Sequence, residues 1–402
     1  MEREILEGVV RHAAREGRVE KIIELAEASA TEPGENFTST VLRMRAKVLL
    51  ESGRVINKTY ILKRTTPFGG HGHLFHAETK IYINVLKQMS YLMDEYGDTE
   101  EPLWCQLIHH EPYTSMLLED LQGKGYKLVN RRIGLDLVHG IQAIRALGKF
   151  HALAKVLEER GIISMKDYKP YHGMDMNVVR AWTYPAVQNL IRGIRNWGPE
   201  WNDVAAKLDL SVEEFFENVC KPLEVEKSDF KVLNHGDCWS NNILFKYDWR
   251  LNPVSVRFID FQYPNYSSPL IDVSHFLYIS MQPSVRRHSY NKLIENYHES
   301  LISNLTKYDY EGPRPSIDDV FRVMDRISCF WMYIYASWYP LITEEPKETP
   351  DLSIIVKTGG KEGYRAEIYE EGGVKEKLAP DLLDLAQKTL CFMSITPVRC
   401  MQ

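Results

Sequence analysis

The order of patterns in this 402-residue chain predicts an α+β protein, with a small sheet-rich part followed by a larger, mainly helical part. Three observations carry that prediction. Strand-like apolar runs concentrate before residue 119, and the longest helix-spaced apolar runs come after residue 130. Between them and the helical end, two short apolar runs, Val232-Leu233 and Val256-Arg257-Phe258-Ile259, bracket loops that carry Asp237, Asn242 and Asp260.

Taken in order, residues 4–30 place Ile5, Val9, Ile22, Leu25 and Ala26 at helical spacing, interrupted at Gly17. Glu32-Pro33-Gly34-Glu35-Asn36 reads as a turn. Leu42, Met44, Ala46 and Val48 alternate with Arg43, Arg45 and Lys47, which predicts a half-buried strand over 38–49. A turn near Gly53 leads to a second strand at Tyr60-Ile61-Leu62-Lys63, and Phe75 to Met93 reads as a helix. Strands follow around Leu103–Ile108 and Thr114–Leu118, then a long helix from Asn130 to Glu159. Tyr171 to Trp201 is aromatic without a clear period, and the chain is mostly helical from the second Asp loop to Ser337. Thr343 to Leu378, charged and containing two Gly-Gly pairs, reads as solvated loop before a terminal helix over Asp381–Cys391.

Hydrophobic residues make up 44% of the chain and charged residues 26%, a globular balance with enough apolar material for two lobes around a cleft. The net charge of −6 argues against a nucleic-acid footprint. No apolar run is long enough to span a bilayer, and the start lacks the basic-then-apolar order of a secretory leader. The six cysteines are scattered with no Cys-x-x-Cys pair, which predicts reduced thiols and a cytoplasmic protein.

The chemistry concentrates in His235-Gly236-Asp237-Cys238-Trp239-Ser240-Asn241-Asn242 and in Ile259-Asp260-Phe261. Phosphoryl transfer needs a carboxylate to orient a hydroxyl and accept its proton, plus an amide oxygen and a second carboxylate to hold Mg²⁺ on the phosphates. Asp237 fits the first role, and Asn242 and Asp260 fit the second. Each alone has a simpler explanation: an aspartate in a loop commonly makes an Asx turn. Together at this spacing they point to the transfer site. Cys238 reads as a space-filling bystander, because no nucleophile-activating partners accompany it.

This pattern resembles the catalytic loop of the ecdysteroid-kinase-like (CHK-kinase-like) family of small-molecule kinases, with choline kinases and aminoglycoside phosphotransferases as more distant relatives. The resemblance runs over residues 30 to 340 and implies a two-lobed, protein-kinase-like fold: an N-lobe over 1–116, a hinge over 117–121 and a C-lobe over 122–402. It implies ATP and Mg²⁺ as cofactors and a small hydroxylated acceptor of steroid-like class. By that resemblance Lys63 is the strand lysine that contacts the phosphates, and Glu78, in Phe75-His76-Ala77-Glu78, is the carboxylate that holds it. Leu117-Leu118-Glu119-Asp120-Leu121 matches the linker between lobes, where the Glu119 carbonyl and Leu121 amide would read adenine. Ser39, after the turn at Gly34, would touch phosphate, although that turn lacks the Gly-x-Gly-x-x-Gly pattern. His235 and Asp272 are expected to support the loop rather than react. Gly236 stands where protein kinases carry Arg, Gln262 follows Asp260-Phe261 in place of Gly, and no Ala-Pro-Glu segment follows, which favours a small acceptor over a protein. The alternatives are a choline- or aminoglycoside-type kinase and a nucleotide-binding pseudokinase scaffold.

Overall fold

The computed structural model describes residues 7–10, 17–30, 39–65, 72–171, 173, 175–343, 358, 368–369 and 373–395. The N-terminal part is an antiparallel sheet of β1 (Val19–Ser29), β2 (Ser39–Leu50), β3 (Val55–Thr65), β4 (Leu107–Glu111) and β5 (Ser115–Glu119), in the order β1-β2-β3-β5-β4. The alternation on β2 works as expected: Met44, Ala46 and Val48 are buried, while Arg45 and Lys47 between them are exposed. With Tyr60, Leu62, Leu117 and Val10 they form a small core on one sheet face.

The helical reading of residues 19–29 is wrong, and the reason is geometric. Val19, Ile22 and Leu25 recur every three residues, but they face Leu50, Val48 and Ala46, which recur every two. Two bulges, between Val19 and Lys21 and between Ile22 and Glu24, each insert an extra residue into β1. A strand with repeated bulges therefore mimics helical spacing.

Successive side chains on a strand point to opposite faces. Leu62 enters the small core, so Lys63 points the other way, toward α1 (Gly72–Lys80). This helix continues through a π-helical turn (Ile81–Leu86) into α2 (Lys87–Glu95), covering the predicted 75–93 segment. Phe75, Tyr82, Val85 and Met89 bury into the main core, which the C-terminal helices complete.

The predicted helix at 130–159 begins later, as α3 (Leu137–Glu159). Asp136 caps its first turn by accepting from the His139 amide at 3.0 Å. Leu135 precedes the helix, and Val138 in its first turn is exposed. The stretch 171–201 is more regular than its composition suggests: α4 (Tyr184–Arg195) buries Val187, Leu190, Ile191 and Ile194, and α5 (Asn202–Leu208) follows. Strands β6 (Lys127–Leu128), β8 (Ile243–Tyr247) and β9 (Pro253–Phe258) make a three-stranded sheet, and β7 (Val232–Asn234) pairs with β10 (Asn265–Ser267). Asp237 and Asn242 lie between β7 and β8, and Asp260 follows β9, so both loops spring from paired strands. Helices α6 (Leu270–Ser280), α7 (Pro283–Lys307) and α8 (Ile317–Thr343) complete the C-terminal part, as expected for a helical end.

The terminal helix, α9 (Val374–Ile395), starts seven residues before the expected Asp381. Val374 and Leu378 are buried, and so is Tyr369, whose hydroxyl donates to the Ser337 carbonyl at 2.6 Å. The described residues between 368 and 378 are thus partly packed against the helices, against the reading of the whole stretch as solvated loop. The other residues of that stretch, apart from 343 and 358, and the turn at Gly34, lie outside the described residues. Among the described residues no helix is long and apolar enough to cross a membrane.

Candidate active site

Three charged groups from distant parts of the chain meet at one point. Lys63 Nζ donates to Glu78 Oε2 at 2.6 Å and to Asp260 Oδ1 at 2.5 Å. Lys63 is on β3, Glu78 on α1, and Asp260 lies 197 positions beyond Lys63. Burial alone would lower the Lys63 ammonium, but Asp260 and Glu78 outweigh it and raise its pKa above the ordinary value. Burial pushes Glu78 up, with Lys63 opposing. The expected Lys63–Glu78 pair is therefore formed, and Asp260 joins it.

Asp260 has φ of 68°, in the left-handed region that non-glycine residues rarely occupy. Its other oxygen, Oδ2, accepts from Gln262 Nε2 at 3.1 Å. The residue that replaces the usual glycine thus orients the carboxylate. Such strain at a charged loop residue is a mark of functional sites.

Asn242 is buried, and its Nδ2 donates at 2.9 Å both to the Asp237 carbonyl and to Asp237 Oδ2. With the amide nitrogen committed, Asn242 Oδ1 has no donor among the described residues, and neither has Asp237 Oδ1. Asp237 is half-buried, and desolvation, with the charge of Asp260 adding, pushes its carboxyl up to about 7. A carboxylate of that pKa with one oxygen unengaged suits a general base near neutral pH.

The loop is held from below by Asp272, at the first turn of α6. Its Oδ2 accepts from the His235 amide at 2.6 Å, and its Oδ1 accepts from the Gly236 amide at 2.9 Å. His151 Nε2 donates to Oδ2 at 3.2 Å, and His151 Nδ1 is 3.0 Å from the Tyr297 hydroxyl. Burial works to raise Asp272, but the His151 hydrogen bond and charge, His235 and the Gly236 amide outweigh it and hold the carboxyl below its ordinary range. His235 Nε2 donates to the Ile259 carbonyl at 3.0 Å, and its Nδ1 accepts from the Asp237 amide at 3.3 Å. One neutral imidazole thereby ties the Asp237 loop to the strand end that leads to Asp260. Burial lowers its pKa, in keeping with that neutral form.

Gly236 has φ of 82°, and a Cβ there would sit 1.8 Å from the Tyr263 carbonyl oxygen. No other residue fits, which accounts for glycine where protein kinases carry arginine. Cys238 is fully buried, and burial raises its thiol well above the ordinary value, so the bystander reading suits it.

At the linker, Glu119 ends β5 and Leu121 follows it, buried. Asp120 is buried and structural: it accepts from Arg43 Nε at 3.0 Å and from the Gln122 amide at 3.1 Å. Glu119 Oε2 accepts from the Gln106 amide at 3.1 Å, and its carboxylate pairs with Lys124. These side chains brace the linker. Ser39 begins β2, opposite Thr65, and its side chain lies outside the described residues. The residue that sequence reasoning missed is His151. Its only signal is a histidine in the apolar run Phe150-His151-Ala152-Leu153, and its partner Asp272 is 121 positions away.

The sequence profile of the ecdysteroid kinase-like family matches residues 33–310, more than half of the chain. No curated protein matches the chain. Among solved structures that match is a protein from Ralstonia eutropha JMP134 described as an inferred aminoglycoside phosphotransferase. It is 11% identical, with a TM-score of 0.41, over 95% of this chain and 98% of that one.

Proposed function

The chain belongs to the ecdysteroid kinase-like family, it is a small-molecule kinase of kinase-like fold, and on that premise we propose that it transfers the γ-phosphoryl group of ATP to a hydroxyl of a lipophilic, steroid-like acceptor. The observation that carries the proposal is the meeting of Lys63, Glu78 and Asp260 beside the Asp237–Asn242 pair.

Asp237 Oδ1 accepts the proton of the attacking hydroxyl, and the Asn242 amide fixes the rotamer by holding Oδ2. Lys63, positioned by Glu78, reaches the phosphates. The Glu119 carbonyl and Leu121 amide read the adenine, and Ser39 lies at the phosphate end of β2.

The donor set fits Mg²⁺. Asn242 Oδ1 and the Asp260 carboxylate are hard oxygen ligands, and Mg²⁺ is ordinarily held by one or two protein oxygens together with phosphate oxygens and water. When bound, the ion neutralises charge that develops on the phosphates. The acceptor class is supported by the surroundings of Asp237. His235 to Phe245 contains no Arg or Lys, so the loop that carries the base offers an anionic acceptor no cation of its own. Instead Tyr171 and Tyr263 lie close enough to Asp237 that, beyond the effect of burial, its charge helps raise their phenols.

A mass-spectrometric screen tests the proposal. The full chain with Mg-ATP is incubated with ecdysone, other sterols, choline, ethanolamine and an aminoglycoside. A phosphorylated steroid is the expected product. Preference for choline or the aminoglycoside over every steroid overturns the acceptor class, and no transfer to any alcohol overturns the kinase reading.

A further inference from the structure

We propose that Trp331 selects the acceptor: its indole N–H donates to an oxygen of the acceptor other than the hydroxyl that reacts at Asp237. This rests on the kinase reading above and adds a requirement to it, a second oxygen on the acceptor's apolar body.

Trp331, on α8, is 1% exposed, and its Nε1 has no hydrogen-bond partner among the described residues. A buried donor left unmade is costly, and an indole N–H is normally paired when buried. Phenylalanine would supply ring contacts without that cost, so the nitrogen needs a use. The ring is stacked on His275 of α6, with centroids 5.1 Å apart and planes 19° apart. Tyr171 lies 6.0 Å away and Phe330 5.2 Å.

This aromatic wall is joined to the catalytic loop. The Tyr171 amide donates to Ser267 Oγ at 3.0 Å, and Ser267 pairs with Val232 on β7, the strand that runs into His235-Gly236-Asp237. Tyr171 is thus tied to the strand that leads to the base, feels the charge of Asp237, and packs against Trp331. The wall is also tight: a Cβ on Gly173 would lie 2.5 Å from the Tyr171 ring and 3.0 Å from the Phe330 ring. Its His275 end is only half-buried. An apolar ring system that lies along these rings from the base would bring an oxygen at its far end toward the Trp331 N–H.

The test compares two acceptors: epiandrosterone, which has a ketone at the far end of the ring system from its hydroxyl, and the same steroid without the ketone. The protein is the full chain with Mg-ATP. In the wild type, kcat/KM should favour the ketone-bearing steroid about 10-fold, the worth of one well-made hydrogen bond. Trp331→Phe should bring the ratio close to one and leave the KM for ATP unchanged. Tyr335→Phe removes another buried donor, without a partner among the described residues, one turn along α8 and should keep the ratio. In parallel, the Trp331 indole N–H signal, assigned by its loss in Trp331→Phe, is followed by NMR with a non-hydrolysable ATP analogue and epiandrosterone. It should move as the steroid binds. Transfer with an unmoved indole signal, or a ratio that survives Trp331→Phe, overturns the inference and leaves the kinase reading intact; this is the outcome if an internal water occupies the N–H. A moved signal without transfer supports the inference and contradicts the kinase reading for these acceptors. Neither transfer nor movement overturns both.

Discussion

The catalytic loop has two faces, and they differ in how completely their polar groups are satisfied. On the inner face, Asp272 is fully buried and accepts from two backbone amides and from His151. On the outer face, Asp237 has one oxygen held by Asn242 and, among the described residues, one without a donor, and Asn242 Oδ1 is likewise unengaged among them. Two carboxylates on either side of the same short segment are driven in opposite directions, Asp272 below its ordinary range and Asp237 up to about 7. The inner face stabilises the fold. The outer face gives up stability for groups that a substrate can engage. The difference locates the chemistry.

Substitutions should respect that division. Asp272→Ala strands two buried amides and leaves the His151 ring without its carboxylate. It should cost about 3–5 kcal/mol of unfolding free energy, the scale for removing one partner of a buried charged pair. A denaturant midpoint within error of wild type would show that the inner face is not the brace. Asp260→Asn keeps the shape and removes the charge. Transfer should fall about 10²–10³-fold, the scale of one lost electrostatic stabiliser, with the fold retained. Near wild-type turnover at limiting Mg²⁺ would remove Asp260 from the metal site. Gly236→Ala forces a Cβ onto the Tyr263 carbonyl in a left-handed backbone. It should cost at least about 1–3 kcal/mol in thermal stability, from the backbone strain alone. An unchanged melting temperature would mean that the loop can move away from Tyr263.

The pH dependence separates the two faces by sign. Asp237 keeps its proton in the folded state up to about 7, while the unfolded chain releases it near 3.8. The native state binds more protons over that window, so this group makes stability fall as pH rises through it. Asp272 is depressed in the folded state, so its contribution is present above the ordinary carboxylate pKa and is lost as pH falls below it. Asp237→Asn should remove the first slope and leave the second. Stability curves in which Asp237→Asn and wild type run parallel from pH 4 to 7 would contradict the raised carboxyl.

Much of the outer face was legible because its parts are local. Asp237 and Asn242 share one loop, Asp260 ends the next strand, and the β2 and β3 patterns placed Lys63. What escaped depends on contacts that no short window contains. His151 reads as an ordinary core position until α3 packs against α6. Strand β1 reads as helix because two bulges stretch a period of two into three. Helix α9 begins early because Val374 and Leu378 find a core supplied by residues far back in the chain. The linker side chains Asp120 and Glu119 are tied down by Arg43 on β2 and by the Gln106 amide just before β4.

The most direct test of the division is Asp237→Asn, measured three ways on one preparation. Calorimetric titration with a non-hydrolysable Mg-ATP analogue should match wild type, because Asp237 serves the acceptor and Lys63 the phosphates. Unfolding free energy at neutral pH should be equal to wild type or higher, because a poorly solvated carboxylate has been removed. Transfer to the acceptor identified in the screen should drop about 10²–10⁴-fold, the contribution of a positioned general base. A folded Asp237→Asn protein that has lost nucleotide binding, or one that transfers phosphate at the wild-type rate, would contradict the account.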